Sequence, residues 1–350
     1  MPATPYLRVD GARLWRNIDR TAARAAAAGV ALRPHVKTHK SPEIARMQRR
    51  AGAAGITVAT IGEAEVFVEH GCDDILIAYP VWVDDASALR LRDLAGKARL
   101  AIGVDSIQGA GRAGLFLGDT DVEALVEVDS GQHRSGAGAR DAGAVAAAAQ
   151  RAGLRVRGVF TFPGHSYAVD GPGRAAADEA RALREAAESL RAAGIEPTVI
   201  SGGSTPSLEH TDTDVVTELR PGVYVFGDAQ QWELGTMQPD DIALTCRSTV
   251  ISHAGGRLVL DAGSKALGAD RAALSSGFGR LPEHPDARLV LLAEHHVVAD
   301  LGGAPLPPLG SQVDVVPNHV CNAVNLTDTL HVEESGTLWA WAVAARGRND

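Results

Sequence analysis

The chain has 350 residues, 45% of them hydrophobic and 22% charged, a balance that excludes a disordered chain and suits a folded protein with a sizeable core. A formal net charge of -9 with no basic stripe excludes a phosphate-tracking nucleic-acid surface. The start "MPATPYLRVDG" has no basic segment leading into an apolar one, and no run of about 18 uncharged apolar residues occurs anywhere, so we expect a cytoplasmic protein with no membrane partner.

In chain order, "PYLRVDG" reads as a strand that precedes the main repeat. From about residue 11 to about 228, short β-rich runs alternate with longer Ala, Arg and Glu-rich runs of helical period. The strand candidates are "ALRPHVK" (31–37), "GITVAT" (55–60), "DILIAYP" (74–80), "ARLAIGVD" (98–105), "VEALVEVD" (122–129), "LRVRGVFTF" (154–162), "PTVISGG" (197–203) and "LRPGVYVFG" (219–227). Between them lie helices such as "SPEIARMQRRAG", with Ser41 as N-cap and Pro42 at the first helical position, and the long "GRAAADEARALREAAESLRAAG". Eight strands with following helices predict an α/β fold, a (β/α)8 TIM-like barrel over residues 11–228. A doubly wound open sheet also alternates, but it usually has fewer strands and often a Gly-rich turn after strand one, where this chain has a lysine.

After residue 228 the period changes. "ALTCRSTVISHAGGRLVLDAGSKAL", "ARLVLLAEHHVVAD", "SQVDVVPNHVCNAVNL" and "TLWAWAVAARG" read as strands joined by Gly, Pro and Asp turns. Residues 229–350 therefore form a second, C-terminal all-β domain, which the N-terminal strand 5–10 is expected to join. Cys72, Cys246 and Cys321 have no paired spacing, which argues against a disulfide framework.

In a barrel the chemistry gathers where strands end. Those ends offer Lys37, Thr60, Tyr79 and Asp105, then Asp129, His133 and Arg134 in "EVDSGQHRSG", and His165 and Tyr167 in "FPGHSY". "SGGSTPS" combines two glycines, which allow close backbone approach, with Ser204 and Thr205 hydroxyls before a short helical stretch, a pattern suited to a phosphate. Lys37, beside Lys40 and two histidines, is expected to have a lowered pKa, because burial and neighbouring cations disfavour the ammonium form. A neutral amine forms Schiff bases, and together with a phosphate turn this points to pyridoxal 5'-phosphate.

In "VVPNHVCNAVNL" His319 and Cys321 are two residues apart. On a strand they would face the same side, and imidazole with thiolate favours zinc. Two protein ligands are few for a structural site but suit a catalytic one.

Taken together, "RPHVKTHK", "EVDSGQHRSG", "GHSY", "SGGSTP", "RPGVYVFGD" and the late "PNHVC" resemble the D-serine dehydratase and D-threonine aldolase family, fold-type III pyridoxal-phosphate enzymes related to alanine racemase. The motifs run in family order over nearly the whole chain. The resemblance implies that Lys37 is the cofactor-binding lysine and the base at Cα. It further implies that Gly202, Gly203, Ser204, Gly222, Val223 and Tyr224 hold the cofactor, mostly at its phosphate through backbone N–H groups. Tyr167 would lie near the pyridine nitrogen, Arg134 at the ring's polar edge, and His319 and Cys321 would bind Zn2+ or another divalent cation.

An H-x-C pair looks like the dehydratases of this family, whereas the aldolases more often carry H-x-D. The implied reaction is α,β-elimination of water from a D-β-hydroxy amino acid, with D-serine first and D-threonine and D-3-hydroxyaspartate next, by a protein that is a homodimer as relatives commonly are. Retro-aldol cleavage and racemisation stay open, as do a non-catalytic pyridoxal-phosphate carrier and an unrelated barrel that uses Lys37 on a sugar phosphate. One departure is "AEHHVV", where family members often have Glu-His-Gly; the role of His296 stays open.

Overall fold

The computed structural model describes residues 2–350. It divides into two compact units. One holds the described residues up to Arg20 together with Thr38–Met47 and Val223–Arg346; the other holds Thr21–Lys37, Gln48–Gly222 and Gly347–Asp350.

The second of these is a parallel barrel. After β1 (Tyr6–Asp10) of the other unit, its strands are β2 (Ala31–Leu32), β3 (Ile56–Val58), β4 (Asp74–Pro80), β5 (Arg99–Val104), β6 (Glu123–Glu127), β7 (Arg155–Phe160), β8 (Val199–Gly202) and β9 (Glu218–Leu219). They pair in the order β2-β9-β8-β7-β6-β5-β4-β3. The two ends of that order meet: His35 bridges Thr57, the Thr57 amide donates to Pro34 O (2.8 Å), and the Ala54 amide to Leu32 O (2.9 Å). Parallel strands in a filled barrel are buried on both faces, as in β6 and β8, where every residue is buried, including Glu123 and Glu127 at the two ends of β6. Leu76, Ala101, Leu125, Phe160 and Val199 pack as one interior cluster, so the barrel is filled and not a pore.

Two of the expected strands are far shorter than their sequences suggest. "ALRPHVK" contributes only Ala31–Leu32, and "LRPGVYVFG" only its first residue, Leu219, the end of β9; each then enters a 3-10 turn, Val36–Thr38 and Val223–Val225. Both carry an Arg-Pro step, and a proline has no N–H to donate to the ladder. Pro34 and Pro221 therefore end the strands, and Lys37 stands in the middle of a turn.

The helices are α1 (Gly11–Ala27), α2 (Pro42–Arg50), α3 (Ile61–Glu69), α4 (Asp85–Ala95), α5 (Ile107–Leu117), α6 (Ala142–Arg151) and α7 (Gly171–Ala192). In α7 the buried positions, among them Ala175, Ala176, Glu179, Ala180, Leu183, Ala186, Ala187 and Leu190, recur at the three- and four-residue spacing of one helix face. One member of that stripe is a carboxylic acid.

The other unit is built on a nine-stranded sheet. To β1 it adds β10 (Leu244–Ser252), β11 (Leu258–Leu260), β12 (Gly279–Arg280), β13 (Arg288–Leu292), β14 (Val297–Asp300), β15 (Gln312–Pro317), β16 (Thr329–Glu334) and β17 (Thr337–Ala342). β1 lies antiparallel to β10 and parallel to β16. Short helices interrupt the strands: α8 (Ala229–Glu233), α9 (Ser264–Leu267) and α10 (Val320–Asn325).

The last of these corrects the strand reading of "VVPNHVCNAVNL". β15 stops at Pro317, His319 is the residue before α10, and Cys321 lies within it. Beyond the strand the Asn318 side chain donates to Gly277 O (2.8 Å) and Asp270 O (3.2 Å), and the Val320 amide, at the start of the helix, donates to Asp228 Oδ2 (3.2 Å). Among the described residues no helix is long and apolar enough to cross a membrane.

Candidate active site

The ends of five neighbouring barrel strands enclose a cavity of about 520 Å³ lined by His35, Lys37, Ala59, Ala78, Tyr79, Pro80, Asp105, Arg134 and Ser135. This is a size that suits a small cofactor or substrate. Lys37 reaches it from the turn after β2, with Nζ 5.7 Å from the centroid of the Phe162 ring. The Arg134 guanidinium lies 5.2 Å from the same ring, and its Nη2 is 3.7 Å from Glu127 Oε1. Glu127 also accepts from Ser135 Oγ (3.0 Å), and burial pushes its carboxyl up from the usual range.

Burial, and then the positive charges of Lys37, Arg220 and Arg134, push the His35 imidazole well below its ordinary value. It is a neutral ring, and its Nδ1 is buried without a hydrogen-bond partner. A cationic cavity with a reactive amine type and an orphaned ring nitrogen fits a polar, anionic, aldehyde-bearing cofactor.

A second group of expected residues assembles at the ends of β7 and β8. Tyr167 closes the 3-10 turn Gly164–Tyr167. Ser166 Oγ meets Ser204 Oγ at 2.9 Å, and Ser204 Oγ meets Ser207 Oγ at 2.8 Å, so a chain of hydroxyls ties the Tyr167 turn to the glycine turn. Gly203 has φ +82, a conformation side chains rarely adopt, and a Cβ on Gly202 would stand 2.5 Å from Glu179 Oε1. The Gly203 amide donates to that same Glu179 oxygen at 2.7 Å. Burial drives the Glu179 carboxyl up to about 7. Val223 and Tyr224 lie in the turn that follows Gly222, both buried.

Other candidates lie outside the lining of that cavity. Thr60 caps α3, accepting from the Glu63 amide (3.0 Å) and donating to Arg348 O (2.7 Å). His133 is exposed, its Nδ1 held 2.7 Å from Asp129 Oδ2. His165 Nε2 is 3.3 Å from Asp178 Oδ2. His295 and His296 are exposed in the turn between β13 and β14.

The reading from strand ends missed Glu179, Arg220 and Phe162. Arg220 is buried, donates through Nη1 to Ser201 Oγ (2.6 Å) and through Nη2 to Thr161 O, and lies 5.1 Å from the Phe160 ring centroid. A charged residue on an alanine-rich stripe, and an arginine before a proline, are the signals that point to the first two.

In the other unit, His319 and Cys321 do converge, though from a helix start. The two side chains are close enough to interact electrostatically. His319 Nδ1 stands 3.4 Å from Asp228 Oδ2, long for a hydrogen bond, and has no aligned partner. The Cys321 thiol donates to Thr38 Oγ1 at 3.3 Å. Among the described residues no group of three or more His, Cys, Asp or Glu side chains is arranged to hold a metal ion. A pair of soft and borderline donors with an orphaned imidazole nitrogen fits a divalent cation with open positions, and none of the three cysteines is in a disulfide.

Residues 9–230 match the family model of the alanine racemase N-terminal domain, and residues 243–333 that of a putative serine dehydratase domain. The chain belongs to the alanine-racemase-like D-serine dehydratase and D-threonine aldolase family. Within it, the chain is 39% identical to D-threo-3-hydroxyaspartate dehydratase of Delftia sp. (strain HT23), covering 91% of this chain and 90% of that protein. It is 33% identical to D-threonine aldolase of Arthrobacter sp., covering 98% and 93%. Among solved structures, a cysteine-to-alanine mutant of D-threo-3-hydroxyaspartate dehydratase in the metal-free form superposes with a TM-score of 0.89 at 34% identity, covering 98% of this chain and 97% of the other. These relatives are lyases.

Proposed function

We propose that the protein is a pyridoxal-phosphate- and zinc-dependent lyase that converts a D-β-hydroxy amino acid into a 2-oxo acid and ammonia. When bound, the cofactor supplies a carbonyl for imine formation and an electron-withdrawing ring that makes the Cα–H bond acidic. A divalent cation supplies Lewis acidity toward the β-hydroxyl. Lys37 carries the cofactor and accepts the Cα proton. Arg134 orients the anionic edge of the bound molecule, and His35, kept neutral, lends hydrogen-bonding capacity without another charge. Gly202, Gly203, Ser204, Gly222, Val223 and Tyr224 form the cofactor cradle, with Tyr167 near the ring. His319 and Cys321 hold the cation. Water leaves from Cα and Cβ, and a second water later releases the nitrogen as ammonia, so the net change for D-serine is to pyruvate and ammonia.

The observation that carries this reading is the cavity at the barrel strand ends, where Lys37 stands with Arg134 and His35. The 39% identical dehydratase puts D-threo-3-hydroxyaspartate beside D-serine as the substrates to try first. The aldolase relative supports a second reading, cleavage of D-threonine to glycine and acetaldehyde. Incubation of the purified protein with D-serine, D-threo-3-hydroxyaspartate and D-threonine separates the two. Oxo acid and ammonia support the dehydratase; glycine and aldehyde replace it with the aldolase; no turnover with cofactor bound favours a carrier protein. The proposal includes a homodimer, which light scattering measures.

A further inference from the structure

We infer that Thr38 is a positioning residue for the metal pair: its buried hydroxyl fixes the Cys321 sulfur. The inference rests on the reading that His319 and Cys321 hold a divalent cation.

Thr38 is fully buried and Asp228 likewise, so each places a polar group where water does not compete. Thr38 Oγ1 is 3.3 Å from Cys321 Sγ, and a β-branched side chain has few rotamers with which to leave that contact. The backbone under it is also held. Two residues on, Lys40 Nζ donates to Asn325 Oδ1 at 2.7 Å, the last residue of α10, and Lys40 O accepts from the Ala345 amide at 3.1 Å. The segment 38–40 thus runs along the helix that carries Cys321, fastened near its start and at its end.

Asp228 lies on the His319 side of the pair. Its Oδ1 accepts from the Gln231 amide (2.9 Å) and its Oδ2 from the Val320 amide (3.2 Å), which leaves Oδ2 beside the His319 ring at 3.4 Å. Ligand histidines and cysteines are ordinarily oriented by such outer partners, and loss of one typically costs 10- to 100-fold in metal affinity. When the sulfur binds a cation it is deprotonated, and the Thr38 hydroxyl then turns from acceptor to donor, one donor for one negative sulfur. Because Thr38 is also the last residue of the turn that bears Lys37, the hydroxyl that sets the sulfur is one peptide bond from the lysine.

The test measures zinc affinity and not turnover. Cofactor-loaded wild type, Thr38→Val and Thr38→Ser are stripped of metal and titrated with Zn2+ against a chromophoric chelator. Thr38→Val is expected to weaken zinc binding by about 10- to 100-fold, and Thr38→Ser, which keeps the hydroxyl, to stay close to wild type. Wild-type affinity in Thr38→Val overturns the inference, and so does a Thr38→Ser as weak as Thr38→Val, because packing and not the hydroxyl then sets the site. Thr38→Ala, with the same expected weakening, replaces the valine variant if circular dichroism shows that the latter does not fold. A wild-type protein that binds no zinc overturns the metal-pair reading itself, an outcome distinct from a wild type that binds and a Thr38→Val that binds equally well.

Discussion

Glu179 Oε1 accepts the Gly203 amide at 2.7 Å from the middle of an otherwise apolar stripe of α7. The same carboxyl fills the space that a side chain on Gly202 would need, so one buried acid shapes the glycine turn expected to meet a phosphate. A phosphate beside an ionised carboxylate is unfavourable; burial drives the Glu179 carboxyl up to about 7, which keeps it largely neutral below that pH.

That shift has a signed consequence for stability. A carboxyl whose folded value is about 7 against an ordinary 4.5 binds more protons when folded, so stability falls as pH rises between those values and stays lower above them. The contribution is about 3 kcal/mol. Glu179→Gln keeps an oxygen for the Gly203 amide and removes the titration, so its stability relative to wild type should rise between pH 5 and pH 8. Urea unfolding at both pH values measures it; a variant that tracks wild type at both would refute the assignment.

Gly203→Ala should lower stability by about 1–2 kcal/mol, the cost of a side chain at a left-handed position, and weaken binding of the cofactor at the turn. Thermal unfolding and titration with pyridoxal phosphate check the two effects. An alanine variant as stable and as tight as wild type would mean that the turn does not need its positive φ.

Lys37→Ala should abolish covalent attachment. Wild type mixed with pyridoxal phosphate and borohydride should gain one cofactor mass on the peptide containing residue 37, whereas the variant gains none, and turnover should fall on the order of 10³-fold. Labelling of a different lysine in wild type would move the site elsewhere.

Cys321→Ala should retain the cofactor's visible band yet lose metal and most turnover. Loss of Lewis acidity of several kcal/mol corresponds to 100-fold or more in rate. Added Zn2+ should restore chelator-treated wild type and leave the variant inactive. Full activity in metal-free wild type would remove the cation from the reaction.

Much of this architecture is legible in the chain. The alternation of apolar runs with helical ones specifies eight parallel strands because parallel strands are buried on both faces, and the lysine, glycine and H-x-C motifs supply the residues of the proposed site. The limits of the strands were harder to read. "ALRPHVK" and "LRPGVYVFG" have strand-like composition, but in each a proline removes a ladder donor in the middle, and the remainder coils into a 3-10 turn.

The sequence by itself determined the barrel and the β-rich second unit, since these follow from local period and residue chemistry. Only the tertiary structure decided that Lys37 stands in a turn, that His319 and Cys321 meet at a helix start, and that Glu179, Arg220 and Thr38 stand behind the residues expected to do chemistry. Hydrogen bonds between residues as distant as Thr38 and Cys321 or Glu179 and Gly203 depend on how the chain packs, and no local pattern encodes them.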